Sequence, residues 1–305
     1  MAPGHALTLC AMTVRGASFP DRLRAAAAAG FDSIGLSLAQ YRAALREGQD
    51  DRSMRSLLDH HGLRVAEIEA PWDWAADGPV REDGTGGPAA REDGELLFHA
   101  LETLGCEQFN AVVFTAHPHG HLVERFTALC ARAATAGARV AVEFMPFSEL
   151  RTLPAAWRLV RESGASNAGV LLDHWHYVRS GGTPDQLAAV PRDRILSVQL
   201  NDVQLNDVQL NDVQLNDVQL NDGLPQLEAQ SHDDMREEAR HRRLLPAAGA
   251  AGFVHLLRRL GVSARMSVEV WSDALERLTP DEAARLAYEA ADRVLSKPAR
   301  PEGSE

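Results

Sequence analysis

A chain of 305 residues, 45% of them hydrophobic, has material for one large core, a size that barrels of alternating strands and helices reach as a single unit. Its formal net charge of -12 argues against nucleic acid as a partner, because phosphate binding calls for a basic surface. Three scattered cysteines (Cys10, Cys106, Cys130) suit neither a disulfide framework nor a zinc cluster and point to a reducing cytoplasm; the sequence also shows no membrane-length apolar run and no signal peptide.

In chain order the pattern alternates strand and helix. Ala6–Met12 reads as a strand, and the alanine-rich Phe19–Ala29 as a helix with Pro20 in its first turn and Gly30 as its stop. Asp32–Leu36 follows as a strand, and Leu38–His61 carries one or two helices. Leu63–Glu69 alternates as a strand, with Glu67 and Glu69 at its end, of which one is expected to point inward. Pro71-Trp-Asp-Trp74 comes next, and the glycine-rich span from Asp77 to Asp93 reads as a loop. A helix over Glu95–Leu104 leads to a strand at Ala111–Phe114 and to a histidine-rich loop holding His117, His119 and His121. Helices at Leu122–Ala136 and Leu153–Arg161 flank a strand at Arg139–Glu143. Val170–Asp173 is a short buried strand, and Thr183-Pro184 caps the next helix. A strand at Ile195, a long interruption, a helix over Gly252–Leu260, a strand at Met266–Glu269 and a helix over Pro280–Leu295 complete the set. Eight strands with helical crossovers imply an α/β fold, a single closed (β/α)8 barrel over residues 1–296, with a loose tail at 297–305.

Four neighbouring strands end in polar groups: Glu143, Asp173, Gln199 and Glu269. A buried strand has little reason to finish in a carboxylate unless its end opens onto something polar, and catalytic groups of such barrels sit at the strands' C-terminal ends. Three carboxylates and an amide oxygen suit one hard divalent cation, Mg²⁺, Mn²⁺ or Co²⁺. Such an ion would stabilise the enolate formed when a C–H beside a carbonyl is deprotonated. His176, three residues past Asp173, reads as a general acid/base, its ordinary pKa of about 6.5 suiting neutral pH. Glu143 and Glu269 would instead shuttle protons in an isomerase. Arg240 and Arg243 could grip a substrate carboxylate with a forked guanidinium. His117 and Trp72 are candidates for the pocket wall. The plainer readings are salt-bridged strand ends, basic residues on a solvated helix and a capping histidine.

From Val198 to Asp222 the pentapeptide Val-Gln-Leu-Asn-Asp recurs in five perfect copies, a tandem repeat whose period matches neither strand nor helix. It reads as duplication of one strand end, leaving four copies surplus. The fourth ligand is then Gln199, supplied by the strand at Ile195, or a later copy down to Gln219.

These motifs, Val142-Glu-Phe, Leu-Leu-Asp173-His-Trp-His176 with Arg179-Ser-Gly-Gly182, Val198–Asp202 and Ser267-Val-Glu269-Val, resemble the xylose-isomerase-like (sugar phosphate isomerase/epimerase) superfamily of metal-dependent barrels over nearly the whole chain. The order Glu, Asp, Gln, Glu is similar to the 3-dehydroshikimate dehydratase branch and to some inosose-dehydratase-like members. The arginine-rich Glu238–Pro246 resembles the stretch before a Pro-Gly-x-Gly turn in the dehydratases, although here the turn reads Pro246-Ala-Ala-Gly249. The resemblance implies a metal-dependent lyase dehydrating a small polyhydroxylated carbonyl acid, in its sharpest form 3-dehydroshikimate to protocatechuate. The alternatives are a sugar or sugar-phosphate isomerase or epimerase, an inosose dehydratase, and a barrel inactivated by the repeat. The expected partners are a small-molecule substrate and, in oligomers, further copies of the chain, with neither nucleic acid nor membrane.

Overall fold

The computed structural model describes residues 5–69, 74–75, 90–203 and 231–297. Its eight parallel strands close into a barrel in sequence order, β1 lying against β8. They are β1 Leu7–Leu9, β2 Ser33–Ser37, β3 Arg64–Glu69, β4 Gln108–Ala111, β5 Arg139–Glu143, β6 Ala168–Asp173, β7 Ile195–Leu200 and β8 Arg265–Val268. The outer ring comprises α1 Phe19–Ala29, α2 Leu38–Arg46, α3 Asp51–His61, α4 Ala90–Leu104, α5 His119–Thr135, α6 Leu153–Ser163, α7 His174–Arg179, α8 Pro184–Ala188, α9 His232–His241, α10 Ala248–Arg259, α11 Asp273–Glu276 and α12 Pro280–Leu295. Among the described residues no helix is long and apolar enough to cross a membrane.

Local chemistry sets many of these boundaries. Ser18 caps α1, Pro20 occupies its first turn, and Gly30 ends it at φ 103°, in the left-handed region that favours glycine. Thr279 and Glu282 form a capping box on α12, again with Pro in the first turn. The ring seals where α12 packs on α1, with Phe31 edge-on to Tyr288 at 5.2 Å.

Several elements differ from the sequence reading. The fourth strand runs over Gln108–Ala111 rather than Ala111–Phe114. Its inward residues are polar, and Gln108 Nε2 donates to Ser197 Oγ at 2.9 Å across the barrel, so hydrophobic patterning misplaces it. Helix α4 begins at Ala90, inside the expected loop, with Glu92 and Asp93 in its first turn, where acidic side chains complement the helix dipole. Helix α5 begins at His119, which puts His119 and His121 in a helix instead of a loop. Helix α7, six residues directly after β6, is too short to show a helical period in the sequence.

The barrel interior is unusually polar for a fold whose core layers are mostly branched aliphatics. Thr8 Oγ1 meets Ser33 Oγ at 2.8 Å, and Arg265 Nη1 donates to Ser33 Oγ at 3.1 Å. This polar column rises to the strands' C-terminal ends, where the site lies.

The loop leading into α10 is seated by Asp202. Its Oδ2 accepts from the backbone N–H groups of Ala247, Gly249 and Ala250 at 3.0, 3.1 and 3.4 Å. A Cβ on Gly249 would stand 2.3 Å from Asp202 Oδ1, so the glycine that the Pro246-Ala-Ala-Gly249 turn retains is the one the geometry requires. Gly249→Ala is expected to lower stability by about 1–3 kcal/mol, the usual effect of overpacking, read as a fall in denaturation midpoint with unchanged m-value.

Candidate active site and metal centre

Register brings the four strand ends together. Asp173 pairs with Gln199 across β6 and β7, Gln199 with Ser267 across β7 and β8, and Glu143 with Leu171 across β5 and β6. Alternation along each strand then turns Glu143, Asp173, Gln199 and Glu269 toward the barrel axis. All four are buried.

Arg243 occupies the middle of this group. Its Nη1 donates to Asp173 Oδ2 at 2.8 Å and to Glu269 Oε2 at 2.5 Å, and its Nη2 donates to His176 Nε2 at 2.9 Å. Its Nε is fixed by the carbonyl of Ala239 at 2.9 Å. Glu143 Oε1 stands 3.5 Å from His176 Nε2. The carboxylates therefore surround a cation, the guanidinium, which holds Asp173 and Glu269 apart while Glu143 leans on the imidazole.

Asp173 is the most heavily used group. Its Oδ1 accepts the backbone N–H of His176 at 2.7 Å, capping α7, and its Oδ2 also accepts from Asn201 Nδ2 at 2.6 Å. Asn201 Oδ1 accepts the backbone N–H of Trp175 at 2.8 Å, and Trp175 Nε1 donates to Glu238, which also takes Arg179 Nη2 at 2.6 Å. The first repeat copy is thus fully employed: Val198 and Leu200 are in the core, Gln199 faces the site, Asn201 orients Asp173, and Asp202 seats the α10 loop. The later glutamines, Gln204 to Gln219, lie outside the described residues.

The electrostatics follow from burial and crowding. Burial and the neighbouring Glu269 and Asp173 push Glu143 well above the usual carboxylate range, and burial pushes Glu269 up to about 8. Burial opposes ionisation of Asp173 too, but Arg243 and His176 beside it hold its pKa below the ordinary value. Burial pushes His176 down to about 3, so the near-neutral titration expected from sequence is replaced by an imidazole held uncharged. Because a guanidinium can only donate, His176 Nε2 accepts from Arg243, and the network assigns its proton to Nδ1.

Two observations fit a divalent cation here. Gln199 is fully buried, yet neither its Oε1 nor its Nε2 has a hydrogen-bond partner, a cost that a ligand oxygen would recover. Asp173 and Glu269 already converge on a single positive nitrogen. Gln199→Ala is expected to weaken divalent-cation binding by about ten- to a hundredfold, whereas Gln219→Ala leaves it unchanged; calorimetric titration with Mn²⁺ reads both.

Arg240 lies on α9, where its carbonyl accepts from Arg15 Nη1 at 3.1 Å. His117 lies beyond β4 with its ring 5.3 Å from that of His121, whose Nε2 donates to the carbonyl of Ala75 at 2.8 Å. Trp72 lies outside the described residues.

Three further groups line the site: Cys10, to which the sequence assigns no role there, and the strand-end acids Glu67 and Glu69. Cys10 Sγ donates to Glu69 Oε1 at 2.9 Å and lies 3.4 Å from Glu269 Oε1. Glu67 and Glu69 are two residues apart on β3, so both point inward, contrary to the expectation that only one does. The period of two along β3 carries the signal for the glutamates, whereas a lone cysteine after a strand carries none.

A family model described as "Xylose isomerase-like TIM barrel" matches residues 23–293. The chain belongs to that family. Two curated relatives are both named 3-dehydroshikimate dehydratase. One, from Pseudomonas aeruginosa, is 26% identical over 267 residues, which is 84% of this chain and 36% of that protein. The other, from Pseudomonas putida, is 24% identical over 290 residues, 92% of this chain and 39% of that protein. The chain therefore spans less than half the length of these relatives. Among solved structures, the IolI protein with a bound zinc atom superposes with a TM-score of 0.74 at 16% identity, covering 96% of this chain and 98% of that one. The closed eight-stranded parallel barrel and its strand order agree with that family.

Proposed function

We propose that the chain is a divalent-metal-dependent lyase that dehydrates a small polyhydroxylated carbonyl acid, 3-dehydroshikimate to protocatechuate in its sharpest form. The carrying observation is Arg243: a buried fork at the centre of the cluster, one arm on Asp173 and Glu269 and the other on His176. A guanidinium placed beside a neutral imidazole suits a substrate that brings both a carboxylate and an acidic C–H. The names of the two curated relatives support the same reading.

Glu143, Asp173, Gln199 and Glu269 would hold the ion, which when bound supplies Lewis-acid polarisation of the substrate carbonyl. Arg243 turns from Asp173 and Glu269 to the substrate carboxylate. That movement releases His176 Nε2, which takes the proton from the carbon beside the carbonyl. The same nitrogen then returns the proton to the departing hydroxyl, so water leaves and the ring is free to aromatise. Asp173, through its bond to the His176 backbone N–H, keeps the imidazole at the edge of the cluster. Phe147, with its ring 5.7 Å from that of His176, walls that side against water.

The test is Mn²⁺-loaded protein mixed with 3-dehydroshikimate and followed by the absorbance of the aromatic product. Product formation that stops on chelation supports the reading. Absence of product together with interconversion of ketoses moves the assignment to an isomerase or epimerase, and absence of any bound metal favours an inactive barrel.

A further inference from the structure

A second group of ligating atoms lies beside the first. Among the described residues, Cys10, Glu67 and Glu69 each offer an atom within 4.8 Å of the others. Cys10 follows β1, and the two glutamates stack along β3 on the inward face, so all three line the barrel axis. Glu67 is only 2% exposed, and its Oε1 has no hydrogen-bond partner. Gly35 lies beside both residues: a Cβ there would stand 3.3 Å from Glu67 Oε1 and from Cys10 Cα, and 3.0 Å from the Ala11 nitrogen. A larger residue in place of Gly35 would press on the Cys10–Ala11 backbone and on the Glu67 carboxylate.

Glu269 joins the two groups. Its Oε2 faces Arg243 and Asp173, and its Oε1 faces Cys10 at 3.4 Å. One carboxylate presenting an oxygen to each of two cation positions is the arrangement of two-metal sites, whose ions stand about 3.5–4 Å apart. Five acidic side chains, Glu67, Glu69, Glu143, Asp173 and Glu269, are gathered close to the guanidinium of Arg243. The other buried arginine nearby, Arg22, spends its nitrogens on the carbonyls of Ala11 and Val14.

We infer that Cys10, Glu67 and Glu69, with Glu269 as a shared ligand, form a second cation site that takes a borderline-soft divalent ion such as Zn²⁺ or Co²⁺. The donor set is what distinguishes it. The Glu143–Gln199 side offers oxygen alone and suits hard ions, whereas a thiolate with two carboxylates matches the preferences of Zn²⁺ and Co²⁺. Binding replaces the Cys10 S–H bond with a metal–sulfur bond, and the proton released passes to solvent. The inference adds a site to the proposed function and shares only Glu269 with it.

The experiment is reconstitution of chelator-stripped full-length chain with Co²⁺ alone, read by metal content and near-ultraviolet absorbance. Two ions per chain and a thiolate-to-cobalt charge-transfer band are expected. Cys10→Ser should lose the band and one ion. Glu67→Gln keeps the thiol and guards against a misfolded Cys10 variant; it should raise the Co²⁺ concentration needed for the band by at least about tenfold. One ion per chain without the band overturns the second site and leaves the proposed function standing. A band that persists in Cys10→Ser, arising from Cys106 or Cys130, also overturns it. No ion at all removes both.

Discussion

Replacing Arg243 with Met is expected to abolish turnover while strengthening divalent-cation binding, two effects of opposite sign from one substitution. The guanidinium bonds Asp173 and Glu269 at 2.8 and 2.5 Å, so it competes with a divalent ion for the same two carboxylates. Removing that competitor should tighten Mn²⁺ binding by about tenfold or more, some 1.4 kcal/mol. Without metal, the same variant leaves buried carboxylates uncompensated and should lose about 3–5 kcal/mol of stability. Added Mn²⁺ should then raise its denaturation temperature further than that of the parent chain, since a ligand that binds only the folded state stabilises it by mass action. Turnover of the carboxylate-bearing substrate should fall by at least about a thousandfold, the scale of a lost transition-state charge contact. Unchanged metal affinity would show that the arginine does not sit where the ion belongs.

Asp173→Asn is the second large effect. The amide still caps α7 through its oxygen, but it cannot neutralise Arg243 and must turn its N–H₂ toward Asn201 or the guanidinium, both donors. Loss of about 3–5 kcal/mol of stability is expected from breaking a fully buried pair, together with loss of metal-dependent turnover. Chemical denaturation and metal titration measure the two separately. Full activity in this variant would remove Asp173 from the site.

How much of this could be read from the residues depends on which face of each element carried the signal. The strands β5 to β8 were legible because their outward residues are aliphatic and their ends change abruptly to Glu143, Asp173, Gln199 and Glu269. Strand β4 was displaced because Gln108 and Asn110 face a polar interior that no hydrophobic pattern predicts. The strand at Ile195 points to the first copy of the repeat, but the duties of Asn201 and Asp202 depend on contacts with Asp173 and the α10 loop that are distant in sequence. Arg243 was named for its charge, but its place between the carboxylates depends on the α9 turn that brings its Nε to the carbonyl of Ala239. Cys10 and the pair Glu67 and Glu69 meet only because the barrel closes β1 near β3, beside Gly35.

The most direct test of the central claim is an anomalous difference map from a crystal of this chain soaked in Mn²⁺. The account predicts a peak about 2.0–2.2 Å from oxygens of Glu143, Asp173, Gln199 and Glu269, with Arg243 withdrawn from the two acids. A map with no peak among these four residues, and Arg243 still bound to Asp173 and Glu269, would contradict it.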